Sequence, residues 1–148
     1  MIQVGDKIPA FSVTDQNEKI VTHKDLIGQK TVLYFYPKDN TPTCTVQACN
    51  LRDNYQSLLD AGYKVYGISP DSAKKHQNFI AKFDLPFDLL VDDTNAMAMA
   101  FGVWGKKKLY GREYMGINRT TFVLNEDGVV SEIISKVNAK EHSDQILQ

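Results

Sequence analysis

Cys44 and Cys49 are the two cysteines of a 148-residue chain, and both lie in YPKDNTPTCTVQACNLRD, Tyr36 to Asp53. A cysteine pair can hold a metal, form a disulfide, do thiol redox chemistry or fill a core. A zinc site needs further ligands at short spacing, and His23, His76 and His142 are scattered along the chain. Catalytic, redox-sensing and inert buried roles therefore stay open, and the backbone around the two sulfurs has to separate them.

Thr41 precedes Pro42, which pushes its backbone to extended angles, and its hydroxyl suits an N-cap. Pro42 then takes the first helical position, where a missing N–H costs little. This places Cys44 third, inside the first turn, among free N–H groups at the positive end of the helix dipole. An ordinary thiol, with pKa near 8.5, is only about 3% thiolate at pH 7, and the thiolate is the nucleophile. Moving such a group to a pKa near 6 takes roughly 3.4 kcal/mol, whereas a helix end supplies about 1 kcal/mol. A strongly reactive thiol here therefore requires a fixed cation, and an arginine keeps its charge at any relevant pH. On a helix the two cysteines point about 140° apart, with Cα atoms roughly 8.6 Å from each other. A disulfide needs about 4.4–6.8 Å, so the two can bond only if the start of the helix unwinds. On the same wheel Cys44 joins Ala48, Leu51, Tyr55 and Leu58 on the apolar face, and Cys49 points elsewhere.

The elements that position these residues read as an α/β fold. KTVLYFYP is a nearly continuous apolar run, as expected of a central strand buried on both faces that stops at Pro37. A helix is expected from Thr41 to Gly62, then a strand in YKVYGIS and a helix in PDSAKKHQNFIAKFD capped by Asp71 or Ser72. FDLLVD reads as a strand and TNAMAMAFG as a helix ending at Gly102. This alternation calls for a mixed sheet covered on both faces. Sites in such sheets lie beyond the carboxyl ends of the strands, where the loop after VLYFY leads to Cys44. Two hairpins flank the alternating region, FSVTDQNEKIVTHKDL with its turn at Asp15 to Glu18 and RTTFVLNEDGVVSEIIS with its turn at Glu126 to Gly128. NAKEHSDQILQ closes as a helix, and GKKKL, Gly105 to Leu109, reads as a solvated loop. Residues 1–148 are expected to form a single domain.

Hydrophobic residues at 43%, charged residues at 24% and a net charge of −1 fit a globular domain with no electrostatic pull toward nucleic acid or an acidic membrane. The start lacks the pattern of a signal peptide, and no apolar run approaches the ~18 residues of a membrane span. The expected address is cytoplasmic, where thiols are kept reduced and a lone pair of cysteines is not a structural staple. No GxSxG, phosphate-binding glycine loop or HExxH is present in the sequence.

YPKDNTPTCTVQACNLRD resembles the active-site segment of peroxiredoxins, closest to the bacterioferritin-comigratory or Q type. Pro37, Thr41 and Cys44 match the family pattern Pro-x3-Thr-x2-Cys, and Cys49 matches the second cysteine that the Q type often adds. FGVWGKKKLYGREYMGINRTTFVLNEDG is similar too, with Arg119 as the arginine before a strand. Gln47 departs from relatives, which often carry an acidic residue there. The resemblance implies a thioredoxin-like fold with an added N-terminal β-hairpin and the reduction of hydrogen peroxide and organic hydroperoxides by a thiol. In that reading Cys44 is the peroxidatic cysteine and Cys49 the resolving one, joined in an intramolecular disulfide. Arg119 is the required cation, Thr41 orients the reactants and Pro37 shapes the pocket. Thioredoxin or a similar dithiol restores the enzyme, which acts as a monomer with no metal, flavin or haem. Two alternatives stand beside it. A thioredoxin-like disulfide oxidoreductase usually carries Cys-x2-Cys in place of this Cys-x4-Cys. A redox sensor on the same fold would react slowly.

Overall fold

The computed structural model of the chain describes residues 2–148, apart from the side chain of Leu109. The centre is a seven-stranded mixed sheet with order β2-β1-β5-β4-β3-β8-β9. Its strands are β1 (Ser12–Asp15), β2 (Ile20–Thr22), β3 (Lys30–Phe35), β4 (Tyr63–Ser69), β5 (Asp88–Val91), β8 (Thr120–Leu124) and β9 (Val130–Ile134). β3, β4 and β5 run parallel, β8 lies antiparallel to β3, and the hairpin β1–β2 extends the sheet from β5. This is the thioredoxin-like arrangement with an N-terminal hairpin that the sequence led us to expect.

β3 shows why an unbroken apolar run is needed at the centre. Leu33 and Phe35 enter one core layer, with Tyr66, Ile68, Leu90 and Phe122, against Phe11, Leu26 and the helix α4 (Ala96–Phe101). Val32, Tyr34 and Tyr36 enter the other layer, with Val65, Leu89 and Val123. This second layer receives α1 (Pro42–Asp53) through Cys44, Ala48 and Leu51, and α2 (Tyr55–Asp60) through Leu58. α3 (Ala73–Phe83) adds Phe79, and α5 (His142–Leu147) adds Ile146. Period-two alternation on a strand with no polar face is the signature of a sheet buried on both sides.

Three expectations are corrected. The helix drawn from Thr41 to Gly62 is interrupted at Asn54, between α1 and α2. There the Asn54 side chain donates to the Asn50 carbonyl at 2.9 Å, competing with the Asn54 backbone N–H for the same acceptor, and its backbone leaves helical angles. GKKKL is not a loop. It belongs to β6 (Trp104–Leu109), which pairs with β7 (Arg112–Ile117) in a separate two-stranded ribbon. The closing helix begins as a short 3-10 turn over Ala139–Glu141 before α5. Ser72, not Asp71, caps α3, its hydroxyl accepting from the Lys75 N–H.

Candidate active site

The strand β3 delivers the chain to the site. Tyr36 is still tied to the sheet, donating its N–H to the Ile68 carbonyl at 3.0 Å, and Pro37 follows, half-buried. Pro37 has no N–H to continue the ladder, so pairing ends there. Thr41 is the N-cap of α1 with extended angles (φ −88°, ψ 158°), and Pro42 is the first helical residue. The Thr41 hydroxyl does not cap the helix. It donates to the Lys38 carbonyl at 3.2 Å, which leaves the first N–H groups of α1 without a side-chain cap from this residue.

Cys44 sits in the first turn of α1 and is 2% exposed. Arg119, which immediately precedes β8, brings Nη2 to 3.2 Å from the Cys44 sulfur. The two are 75 positions apart in sequence, and the antiparallel pairing of Phe35 with Thr120 is what aligns them. The other Arg119 nitrogen, Nη1, donates to Gln47 Oε1 at 2.5 Å. Gln47 is one helical turn beyond Cys44, fully buried, so a neutral amide fixes the guanidinium plane beside the sulfur. Its Nε2 is buried with no partner among the described residues. No local feature of the sequence marks Gln47 as the partner of Arg119.

Cys49 lies on the same helix, partly exposed, away from the core face that Cys44 joins. Both cysteines are free thiols on an intact helix. Arg52 lies on the outer side of α1, bonded to Asp53 and to the Phe83 carbonyl.

Lys107, at the middle of the misread GKKKL run, is the half-buried one of the three lysines. Its pKa is lowered, first by burial and then by the Arg119 charge, while Cys44 acts in the opposite direction. His142, missed by the sequence reading, accepts or donates across 2.8 Å to the Thr121 hydroxyl and bonds Gln145 on its other nitrogen. Burial lowers its pKa, Gln145 opposes this and the nearby Arg119 charge adds to the lowering. Asp39, Asp71 and His76 form a buried cluster under the loop before α1, with their ligand-type atoms within 4.8 Å of one another. These atoms are engaged in bonds to one another and to Tyr36, Ser69 and Leu90.

The AhpC/TSA family pattern matches residues 4–133. The chain is 46% identical over 146 residues to the putative peroxiredoxin Bcp of Haemophilus influenzae, covering 99% of this chain and 94% of that one. It is 44% identical over 147 residues to the peroxiredoxin Bcp of Bacillus subtilis, again covering 99% and 94%. The chain belongs to the AhpC/TSA family, as a peroxiredoxin of the Bcp type. Solved structures agree. The PrxQ of Xylella fastidiosa superposes with a TM-score of 0.92 at 28% identity, covering 99% of this chain and 94% of that one. Peroxiredoxin Q of Xanthomonas campestris superposes with a TM-score of 0.87 at 36% identity, covering 93% and 87%. This peroxiredoxin is thus an enzyme, a thiol-dependent peroxidase whose substrate is a peroxide and whose reductant is a thiol. No helix among the described residues is long and apolar enough to cross a membrane.

Proposed function

We propose that Cys44 is the peroxidatic cysteine and Cys49 the resolving cysteine of one catalytic cycle. The observation that carries this reading is the 3.2 Å contact between Arg119 Nη2 and the Cys44 sulfur in the first turn of α1. The Cys44 thiolate attacks one oxygen of the peroxide O–O bond. The bond breaks, the leaving oxygen takes a proton and departs as water or an alcohol, and Cys44 becomes a sulfenic acid. Backbone N–H groups of the first turn of α1 hold the peroxide oxygens, and Arg119 holds charge that develops on them. Thr41 orients the reactants through a hydroxyl that turns from Lys38, and Pro37 keeps that wall of the pocket closed to water. Cys49 then attacks the Cys44 sulfur, hydroxide leaves as water with the Cys49 proton, and the disulfide forms. Thioredoxin or a similar dithiol reduces it by exchange. Hydrogen peroxide and organic hydroperoxides both fit this chemistry, and no metal, flavin or haem takes part in it. The enzyme acts as a monomer and as one domain over residues 1–148. A cytoplasmic setting goes with the reading, since the cycle draws on a reducing thiol pool.

Adding one equivalent of hydrogen peroxide to the reduced protein and weighing it tests the cycle. The expected product has lost two protons and both free thiols. Cys44→Ser should abolish turnover, and Cys49→Ser should allow one oxidation without efficient recycling. A Cys44 that fails to react within seconds would sink the assignment.

A further inference from the structure

Among the described residues, the side-chain hydrogen bonds that tie residues 42–49 to the rest of the molecule all come from Arg119, which donates to Cys44 and to Gln47. The chain on either side is held far more firmly. At Asp39 the backbone N–H donates to Asp71 Oδ2 at 2.8 Å, and the same Asp71 oxygen accepts from the Ser69 hydroxyl at 2.7 Å. The Asp39 carboxylate accepts from the Tyr36 phenol at 2.5 Å and faces His76 Nδ1 at 2.6 Å. The other His76 nitrogen, Nε2, lies 2.9 Å from the Leu90 carbonyl, which can only accept, so Nε2 carries a proton. His76 thus bridges Asp39 and the Leu90 carbonyl within the buried interior. Asp39 is thereby fixed to the ends of β3 and β4, to α3 and, through His76, to β5. The next residue, Asn40, has φ of +60°, a left-handed angle that begins the turn into α1.

The second fixed point is Asn50, directly after Cys49. Its Nδ2 donates to the Lys140 carbonyl and its Oδ1 accepts from the Ser143 N–H, both at 2.8 Å, so one side chain clips α1 to the start of α5. Its own carbonyl accepts from Asn54, both backbone and side chain.

We infer that Asp39 and Asn50 bound the part of α1 that unwinds, so that residues 40–49 open as one unit while their flanks stay in place. The inference rests on the disulfide cycle proposed above, which requires α1 to open. His76, acting through Asp39, and Asn50 are positioning residues for that motion. Two features favour opening inside these limits. Oxidising Cys44 alters the sulfur that Arg119 contacts, one of the two side-chain ties of residues 42–49, and Asn40 adds only the exposed 3.3 Å bond that Lys82 Nζ donates to its Oδ1. Opening also brings the unpaired Gln47 Nε2 to water, relieving a buried donor that the closed helix leaves without a partner.

Hydrogen exchange read by mass spectrometry on the full chain tests this, before and after one equivalent of hydrogen peroxide. Oxidation is expected to speed exchange across residues 43–49 while the amides of Asp39, Asn54 and Ser143 stay slow. Fast exchange at Asp39 or Ser143 in the oxidised protein overturns the boundaries. Asn50→Ala should speed disulfide formation about tenfold, because two hydrogen bonds that end the opening are gone, and leave the rate of the first oxidation unchanged. His76→Gln should release the Asp39 amide in the same way. A general loss of packing would alter both steps together, so unchanged disulfide formation in Asn50→Ala, or equal changes in both steps, counts against the inference. If peroxide produces no disulfide, the cycle fails but the boundaries are still readable in the reduced protein. There the amides of residues 43–49 should open together and more readily than Asp39, Asn54 and Ser143, and uniform opening rejects the proposal.

Discussion

Arg119 holds Cys44 with one nitrogen and Gln47 with the other, at 3.2 Å and 2.5 Å. The guanidinium is planar with donors in a fixed fork, so the amide that accepts one donor sets the direction of the next.

Replacing Arg119 by Ala removes the cation and the bond to sulfur together. A hydrogen bond to a charged group contributes about 1.5–3 kcal/mol, so peroxide reduction should slow by roughly 10- to 100-fold. Arg119→Lys should recover only part of the rate, since an ammonium reaches either Gln47 or Cys44 but lacks the fork. Stopped-flow measurement of peroxide consumption across pH reads both. A rate unchanged in Arg119→Ala would remove the arginine from the mechanism.

Gln47→Met separates the orientation of Arg119 from its charge. The substitution deletes a hydrogen bond and also an unpaired buried donor, so stability should change by less than about 1 kcal/mol. Activity should fall about fivefold, because the guanidinium loses the partner that aims it. Urea midpoints and peroxide rates on the same samples distinguish this from simple destabilisation.

Gly67→Ala should be severely destabilising. A Cβ there would lie 2.7 Å from Leu89 Cδ2 and 2.8 Å from the Tyr34 ring and hydroxyl, all on buried strands. Overpacking of this kind costs about 1–3 kcal/mol or more, read as a drop in the denaturation midpoint.

His142 links stability to pH. Its pKa is lowered in the folded chain, first by burial, so between that lowered value and the ordinary pKa near 6.5 the unfolded chain binds more protons. Stability from this group is complete above about pH 6.5 and is lost as pH falls below it. His142→Gln should therefore show a shallower loss of stability between pH 7.5 and pH 5 than the parent chain, whatever its absolute stability, measured by urea unfolding at each pH.

Much of the site could be read from the chain because its signals are local. Thr41 and Pro42 fix where α1 starts, and counting from them puts Cys44 in the first turn, where the structure has it. The central strand was legible because burial on both faces leaves no polar residue in Val32 to Tyr36. What escaped depends on contacts between distant residues. Asp39 and His76 meet across 37 positions, and nothing near either residue marks a partner. The ribbon β6–β7 was hidden by its own sequence. Three consecutive lysines break the alternation that marks a strand. Its turn places Tyr110 at φ +51° before Gly111 at φ +77°, where an asparagine would be the usual signal. The break at Asn54 was missed because a single side chain competing for one carbonyl leaves the apolar periodicity of the helix unchanged.

The pairing of β3 with β8 has a consequence for how the chain is made. Cys44 emerges early in synthesis, and Arg119 follows 75 positions later. Until β8 has docked against β3, the thiol has neither its cation nor the buried first turn that presents it. In the proposed cycle, reactivity toward peroxide is thus withheld from an incomplete chain and granted only to the finished one. A ribosome-bound fragment ending before residue 119 lacks that guanidinium altogether, so on this proposal completed folding is itself the activating event.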